Sequence, residues 1–274
     1  MRLETGEHTL RVIAEAYTLT TAADRPYVYL DDPAGRRIAD LFVPASAHTL
    51  EGPDDTVRVG EWESREAERA ITLRLSMQSS VWDGKVAILT CLPDRLTFHL
   101  EVQGRGRLSD VCVFGGYYSG QIRWGSGFFE SGTRFRKGFN PEPTTAEAYT
   151  FAPDTGSVID LTGVPVPGRD HWFFTPPPFG YAFETESGWL ALGVEAASGA
   201  NRFTEYRYHG RQGAFHLSLT YDGQTVVDGT YTLPAIGVDL GRADAYEALS
   251  AHADALRSQG LAPTIDALRH PAWW

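Results

Sequence analysis

Cysteine is nearly absent from this sequence of 274 residues: Cys91 and Cys112 are the only two. Their scarcity excludes a disulfide-rich scaffold, and with no closer spacing or histidine partners the pair makes no metal motif. Both lie in strand-like runs (88–92 and 111–114). A bond between them stays open at this stage, while the burial habit of free cysteine favours two thiols. Positive charge is also scarce. Twenty-four Lys and Arg stand against 35 Asp and Glu, a formal net charge of −11, which argues against a nucleic-acid surface. No window approaches 18 apolar residues, and the N-terminus MRLETGEHTLRV has no apolar core of a signal peptide. No membrane span is therefore expected, and a cytoplasmic location is the default. HExxH, GxSxG, a Walker loop and GxGxxG after a strand are all missing. Gly115-Gly116 and Gly125-x-Gly127 lie outside any βαβ pattern, so phosphate cradling has no support and neither cofactor nor metal is expected.

What the chain has instead is 28 glycines, 16 prolines, seven tryptophans and an aromatic content of 12%, a composition of many strands and turns. Apolar residues alternate by two over Thr9–Leu19, Tyr27–Leu30 and Ile71–Met77, and Ile38–Val43, Val57–Trp62 and Val86–Cys91 read as further strands. The charged run 63–69 reads as a solvated edge or loop. Trp82-Asp83-Gly84-Lys85 reads as a hairpin turn. Leu96, Phe98, Leu100 and Val102 share one strand face, Gly104–Gly106 reads as a turn, and Leu108–Phe114 as the next strand. From Tyr181 to Leu233, strands at 181–185, 189–195, 203–208, 214–221 and 230–233 are separated by turns that include Asp222-Gly223, an antiparallel meander. Only after Gly241 does the period change. Tyr246, Leu249, Ala253 and Leu256 recur at helical spacing, Asp244 with Glu247 can form a capping box, and Gly260 is a natural stop. The expectation is an all-β, large two-sheet antiparallel β-sandwich over residues 1–240, then one C-terminal α-helix and a linker over 241–274.

The segment Phe114–Pro143 holds seven glycines, eight aromatic residues and four cations in thirty positions. It folds as a loop carrying flat rings or as short strands with wide turns. Rings beside guanidinium groups suit a flat polyhydroxylated ligand such as a sugar; a satellite core that pins the loop is the alternative. Arg123, Trp124, Phe128, Phe129 and Arg134 are the candidate contacts there. His171 and Trp172, in a Pro-bounded loop, are candidates for a sugar hydroxyl partner and a stacking ring. Glu184 and Glu186 share a strand face at the separation of paired glycosidase carboxylates, although two wet charges beside a turn have the same pattern. His209 and His216 lack a third ligand.

The tail LPAIGVDLGRADAYEALSAHADALRSQGLAPTIDALRHPAWW (233–274) and the run GYAFETESGWLALGVEA (180–196) add a resemblance. They are similar to the N-terminal β-supersandwich, of galactose-mutarotase-like type, in glycoside hydrolases of the melibiase-like and α-glucosidase-like clan. There the sandwich ends in a helix and hands over to a (β/α)8 barrel, and Pro271-Ala272-Trp273-Trp274 looks like the approach to the first barrel strand. The catalytic carboxylates of that clan come from the barrel, and no residue here matches them. The resemblance implies a non-catalytic, carbohydrate-facing domain that lends a loop to the sugar pocket and meets a barrel domain or another chain at its C-terminal end. The alternatives are a self-sufficient sugar mutarotase or epimerase using His171 with Glu184 or Glu186, and a plain carbohydrate-binding or assembly module.

Overall fold

Period-two burial builds the first layer. A computed structural model describes residues 1–123, 137–139, 170–175, 180–185, 187–197, 199–209 and 214–261. Its first sheet is a meander of β1 (Arg2–Thr5), β2 (Leu10–Ile13), β3 (Thr18–Thr21), β4 (Tyr27–Asp31) and β5 (Arg37–Phe42), paired in chain order. In β4, Val28 and Leu30 are buried while Tyr27, Tyr29 and Asp31 alternate outward. The run 9–19 is thus two strands rather than one. Its turn is fixed from outside, because the amides of Glu15 and Ala16 both donate to Pro93 O at 3.0 Å.

The second sheet has fourteen strands among the described residues. They are β6 (Ser46–Thr49), β7 (Asp55–Glu66), β8 (Ile71–Ser79), β9 (Gly84–Cys91), β10 (Arg95–Val113), β11 (Gly116–Tyr118), β12 (Gln121–Arg123), β13 (Lys137–Phe139), β14 (Asp170–Thr175), β15 (Gly180–Thr185), β16 (Gly188–Glu195), β17 (Phe203–His209), β18 (Ala214–Thr232) and β19 (Ala235–Arg242). The main order is β12-β11-β7-β8-β9-β10-β19-β16-β15-β13. Pairing is antiparallel throughout except for β11 beside β7, which is parallel. One apolar cluster unites the layers, with Val12, Leu19 and Leu30 from the first sheet and Leu75, Phe98 and Leu100 from the second. Further polar ties cross between them. The Tyr17 hydroxyl reaches Leu92 O and Arg95 O at 3.0 Å, and Ser187 Oγ donates to Asp32 Oδ2 at 2.7 Å. The chain is an all-β sandwich, as its alternation predicts.

Several local expectations are corrected. Gly104–Gly106 is no turn: β10 runs through it, pairing first with β9 and β19 and then with β6 and β18. Gly106 is needed for packing, since a Cβ there would meet the Trp82 ring at 3.0 Å. Asp222-Gly223 is likewise a bulge inside β18. Thr220 faces Asp110 and Thr225 faces Leu108, so the partner strand has fewer residues to pair. Turn residues with positive φ (51° and 68°) suit a bulge as well as a turn. The run 181–233 is not a simple meander either, because β16 pairs with β15 and β19 while β17 pairs with β14 and β18. The charged residues 63–66 extend β7 as exposed strand. Lys85, expected in a turn, lies inside β9.

The helix α1 (Ala245–Ser258) is capped as its sequence predicts. Asp244 Oδ1 accepts from Glu247 N at 2.8 Å, Glu247 Oε2 accepts from Ala243 N at 2.8 Å, and Gly260 has φ 70°. Its buried face differs: Ala245, Ala248, His252 and Leu256 turn inward, and Tyr246 is 59% exposed. The receiving surface explains this. Small Ala182 and Ala191 of β15 and β16 form a shallow seat that admits alanines, not a tyrosine ring.

Candidate functional site

A cleft of about 530 Å³ opens where the first sheet overhangs the β7 edge of the second, and its size is that of a small-ligand site. The β1–β2 and β3–β4 turns form one wall, and Val59, Gly60, Glu61, Trp62 and Leu75 form the other, with Tyr118 at one end. Trp62 reaches it through a bulge. Val59 pairs with Met77 and Trp62 with Leu75, so Gly60 and Glu61 together oppose Ser76. The extra residue puts Val59 and Trp62, three apart, on one face, the re-aiming that bulges provide. Trp62 is half-buried, and neither its indole N–H nor the Tyr118 hydroxyl has a hydrogen-bond partner among the described residues.

An aromatic and cationic run supports that wall. Tyr27 lies 5.3 Å from Phe42, and Phe42 meets Tyr118 edge-on at 5.9 Å. The Arg25 guanidinium donates to the Tyr29 hydroxyl from Nε (2.9 Å) and from Nη2 (2.5 Å). Arg37 covers the Tyr29 ring at 4.3 Å and is itself held by Asp31 and Asp40, each at 2.6 Å. Of the cleft's own lining, Trp62 and Tyr118 supply rings and Arg25 and Glu61 polar groups, a combination suited to a polyhydroxylated ligand.

The candidates read from sequence are distributed differently. Arg123 ends β12, paired with Gly116 in the hairpin that also carries Tyr118. Trp124, Phe128, Phe129 and Arg134 lie outside the described residues, as do Glu186 and the tail 262–274. His171 and Trp172 are in a strand, not a loop: β14 pairs with β17, placing His171 opposite Tyr208 and Trp172 opposite Arg207. A His-Trp-Phe-Phe run has strand propensity. Glu184 sits on β15 opposite Trp189 and Lys137. His209 and His216 pair with Ala214 and Arg207. Sequence reasoning missed Trp62, Glu61 and Arg25; the one available signal was Gly60 inside an otherwise regular strand.

A second polar cluster lies beneath α1. Arg95 Nη1 donates to Asp239 Oδ1 at 2.6 Å and its Nη2 to Glu195, whose other oxygen accepts from Gln259 Nε2 at 2.6 Å. Burial pushes the Asp239 carboxyl up to about 6 against the pull of Arg95, and holds His252 down to about 4. The Gln259 bond to Glu195 ties the end of the helix to the sheet. Among the described residues no group of three or more His, Cys, Asp or Glu could hold a metal ion, and no helix is long and apolar enough to cross a membrane.

No protein-family model matches the chain, and no curated protein matches it. Solved structures do. An α-N-acetylgalactosaminidase from Bifidobacterium bifidum, in complex with GalNAc, is similar at 9% identity and a TM-score of 0.47 over 95% of this chain. A galactose mutarotase-like protein from Clostridium acetobutylicum gives 9% identity and 0.46 over 86%, and a β-arabinopyranosidase 12% and 0.44 over 86%. The chain spans 39% of the length of the first, 97% of the second and 40% of the third.

Proposed function

We propose that this domain binds carbohydrate in the cleft between its sheets, as the accessory domain of a glycoside hydrolase whose catalytic carboxylates reside on a separate barrel. The observation that carries the reading is Trp62, turned by a bulge to line the cleft that Tyr118 closes, with the polar atoms of both rings unpartnered among the described residues. A sugar's C–H face stacks on the indole, and its hydroxyls satisfy the indole N–H, the Tyr118 hydroxyl and Glu61. The likeness of 180–196 and 233–274 to the sandwiches of α-galactosidase-like and α-glucosidase-like enzymes supports the same class of ligand and a barrel partner. Arg123 ends the hairpin that carries Tyr118.

The test is titration of the purified domain with α-linked galacto- and gluco-oligosaccharides, read by calorimetry. Saturable binding that weakens at least about tenfold in Trp62→Ala and Tyr118→Ala, or ~1.4 kcal/mol, is expected. Binding that survives both substitutions, or no binding at all, overturns the proposal.

A further inference from the structure

Lys85 is a full charge where the strand pattern calls for a hydrophobe, and it is 1% exposed. Its ammonium has three protons and three acceptors: Ala45 O at 2.7 Å, Thr56 Oγ1 at 2.8 Å and Asp54 Oδ2. Asp54, equally enclosed, also accepts from Ala47 N at 2.8 Å and Ser79 Oγ at 2.5 Å. Complete pairing makes such burial tolerable, but an apolar pair of similar volume would serve stability as well or better. The charges therefore call for another account, and the segments they join provide it.

Those segments, 45–47 and 54–56, are the seat of the β11–β12 hairpin. Ser46 Oγ accepts from Tyr117 N at 2.7 Å, Thr56 O from Ser119 N at 3.0 Å, and Asp55 Oδ2 from Gly120 N at 2.8 Å. The His48 ring meets Tyr117 edge-on at 5.7 Å. The hairpin is short, three residues a strand, and turns through Ser119 (φ 50°) and Gly120 (φ 72°). So small a unit has little stability of its own and takes its place from whatever holds it.

We propose that Lys85 and Asp54 are positioning residues, a buried ion pair that locks the two backbone segments on which the β11–β12 hairpin rests and thereby holds Tyr118 at the saccharide cleft. An ammonium with three fixed acceptors admits one arrangement of the segments, whereas apolar side chains would tolerate sliding. The ligand half of this inference rests on the carbohydrate reading above; the mechanical half does not.

The experiment compares wild type with Lys85→Met/Asp54→Asn, which removes both charges together and keeps an acceptor at 54. Amide hydrogen exchange is followed at Tyr117, Ser119 and Gly120 and, as reference, along the β8–β9 ladder. The hairpin amides should exchange about tenfold faster while the ladder changes by less than about twofold, and oligosaccharide affinity should fall as it does in Tyr118→Ala. Should the double variant not fold, Thr56→Val, which removes one acceptor of the ammonium and leaves the Thr56 carbonyl on Ser119 N, gives the same readout. Unchanged hairpin protection, or a loss shared equally by the ladder, overturns the proposal. A wild type that binds no oligosaccharide overturns the carbohydrate reading instead, and the exchange data still decide the positioning claim.

Discussion

The Oδ2 of Asp239 faces the Nδ1 of His252 across 3.9 Å beneath α1, and neither atom has a hydrogen-bond partner among the described residues. Arg95 and Glu195 complete the surroundings, with Arg242 close enough to act on the carboxylate. The two groups respond to pH in opposite senses. Asp239 is raised from 3.8 to about 6, so its contribution to stability is fully present below 3.8 and is lost as pH rises through 6. His252 is lowered from 6.5 to about 4, so its contribution is present above 6.5 and is lost as pH falls through 4. Between about pH 4 and 6 the two slopes offset. Urea unfolding of Asp239→Asn should therefore show stability rising with pH across this window relative to wild type, and His252→Gln should show it falling, each by on the order of 2 kcal/mol. Parallel pH profiles for all three proteins would contradict the assignment.

Gly237 of β19 shows how tightly the same cluster is built. A Cβ there would collide with both Arg95 Nη2 and Glu195 Oε1. Glycine in a strand ordinarily costs about 0.5–1 kcal/mol relative to alanine, so Gly→Ala is expected to help where space allows. Gly84, with nothing within 4 Å of its would-be Cβ, should tolerate alanine without loss. Gly237→Ala should instead break the ion pair and destabilise by roughly 3 kcal/mol or more, the penalty of an orphaned buried charge. Chemical denaturation of the two variants side by side checks the contrast.

Cys91 and Cys112 are not bonded to one another, and burial pushes the Cys91 thiol up to about 12. Thiolate is the reactive form. Iodoacetamide at pH 8 should leave Cys91 unmodified in the native domain and alkylate it fully in urea, as read by intact and peptide mass spectrometry. Native-state labelling of Cys91 would show that the β9 core opens to solvent.

Much of the architecture was legible from alternation alone, because a period of two is enforced wherever one face of a strand meets a core: Ile71–Met77, Leu96–Val102 and 28–30 all bury the expected side. What failed was punctuation. Gly104, Gly106 and Asp222-Gly223 have the chemistry of turns, yet the long partners β10 and β18 absorb them as bends and a bulge. The site was harder still. A regular strand would place Trp62 on the face opposite Val59, and the bulge at Gly60–Glu61 reverses that. Lys85 read as a turn residue because the three acceptors that compensate its burial are 29 to 40 positions away, and no local pattern announces them. The change of period after Gly241 indicated where the helix belongs but not which of its faces is buried, since that depends on Ala182 and Ala191 across the interface.

Trp62 and Trp82 make the last prediction, as two indoles with opposite roles. Trp82 is 4% exposed, lies over Gly106, and donates from Nε1 to Ala47 O at 2.7 Å. Truncating it leaves a cavity and an unpaired carbonyl, so Trp82→Ala should cost about 3–5 kcal/mol. Trp62 is partly buried at the cleft, one side against the core, with its N–H unpartnered among the described residues. Trp62→Ala should cost only about 1 kcal/mol in stability while removing oligosaccharide binding. Calorimetric melting and oligosaccharide titration on both variants separate the outcomes. If Trp62→Ala melts as early as Trp82→Ala, the indole is part of the core and the cleft loses its stacking face as a ligand site.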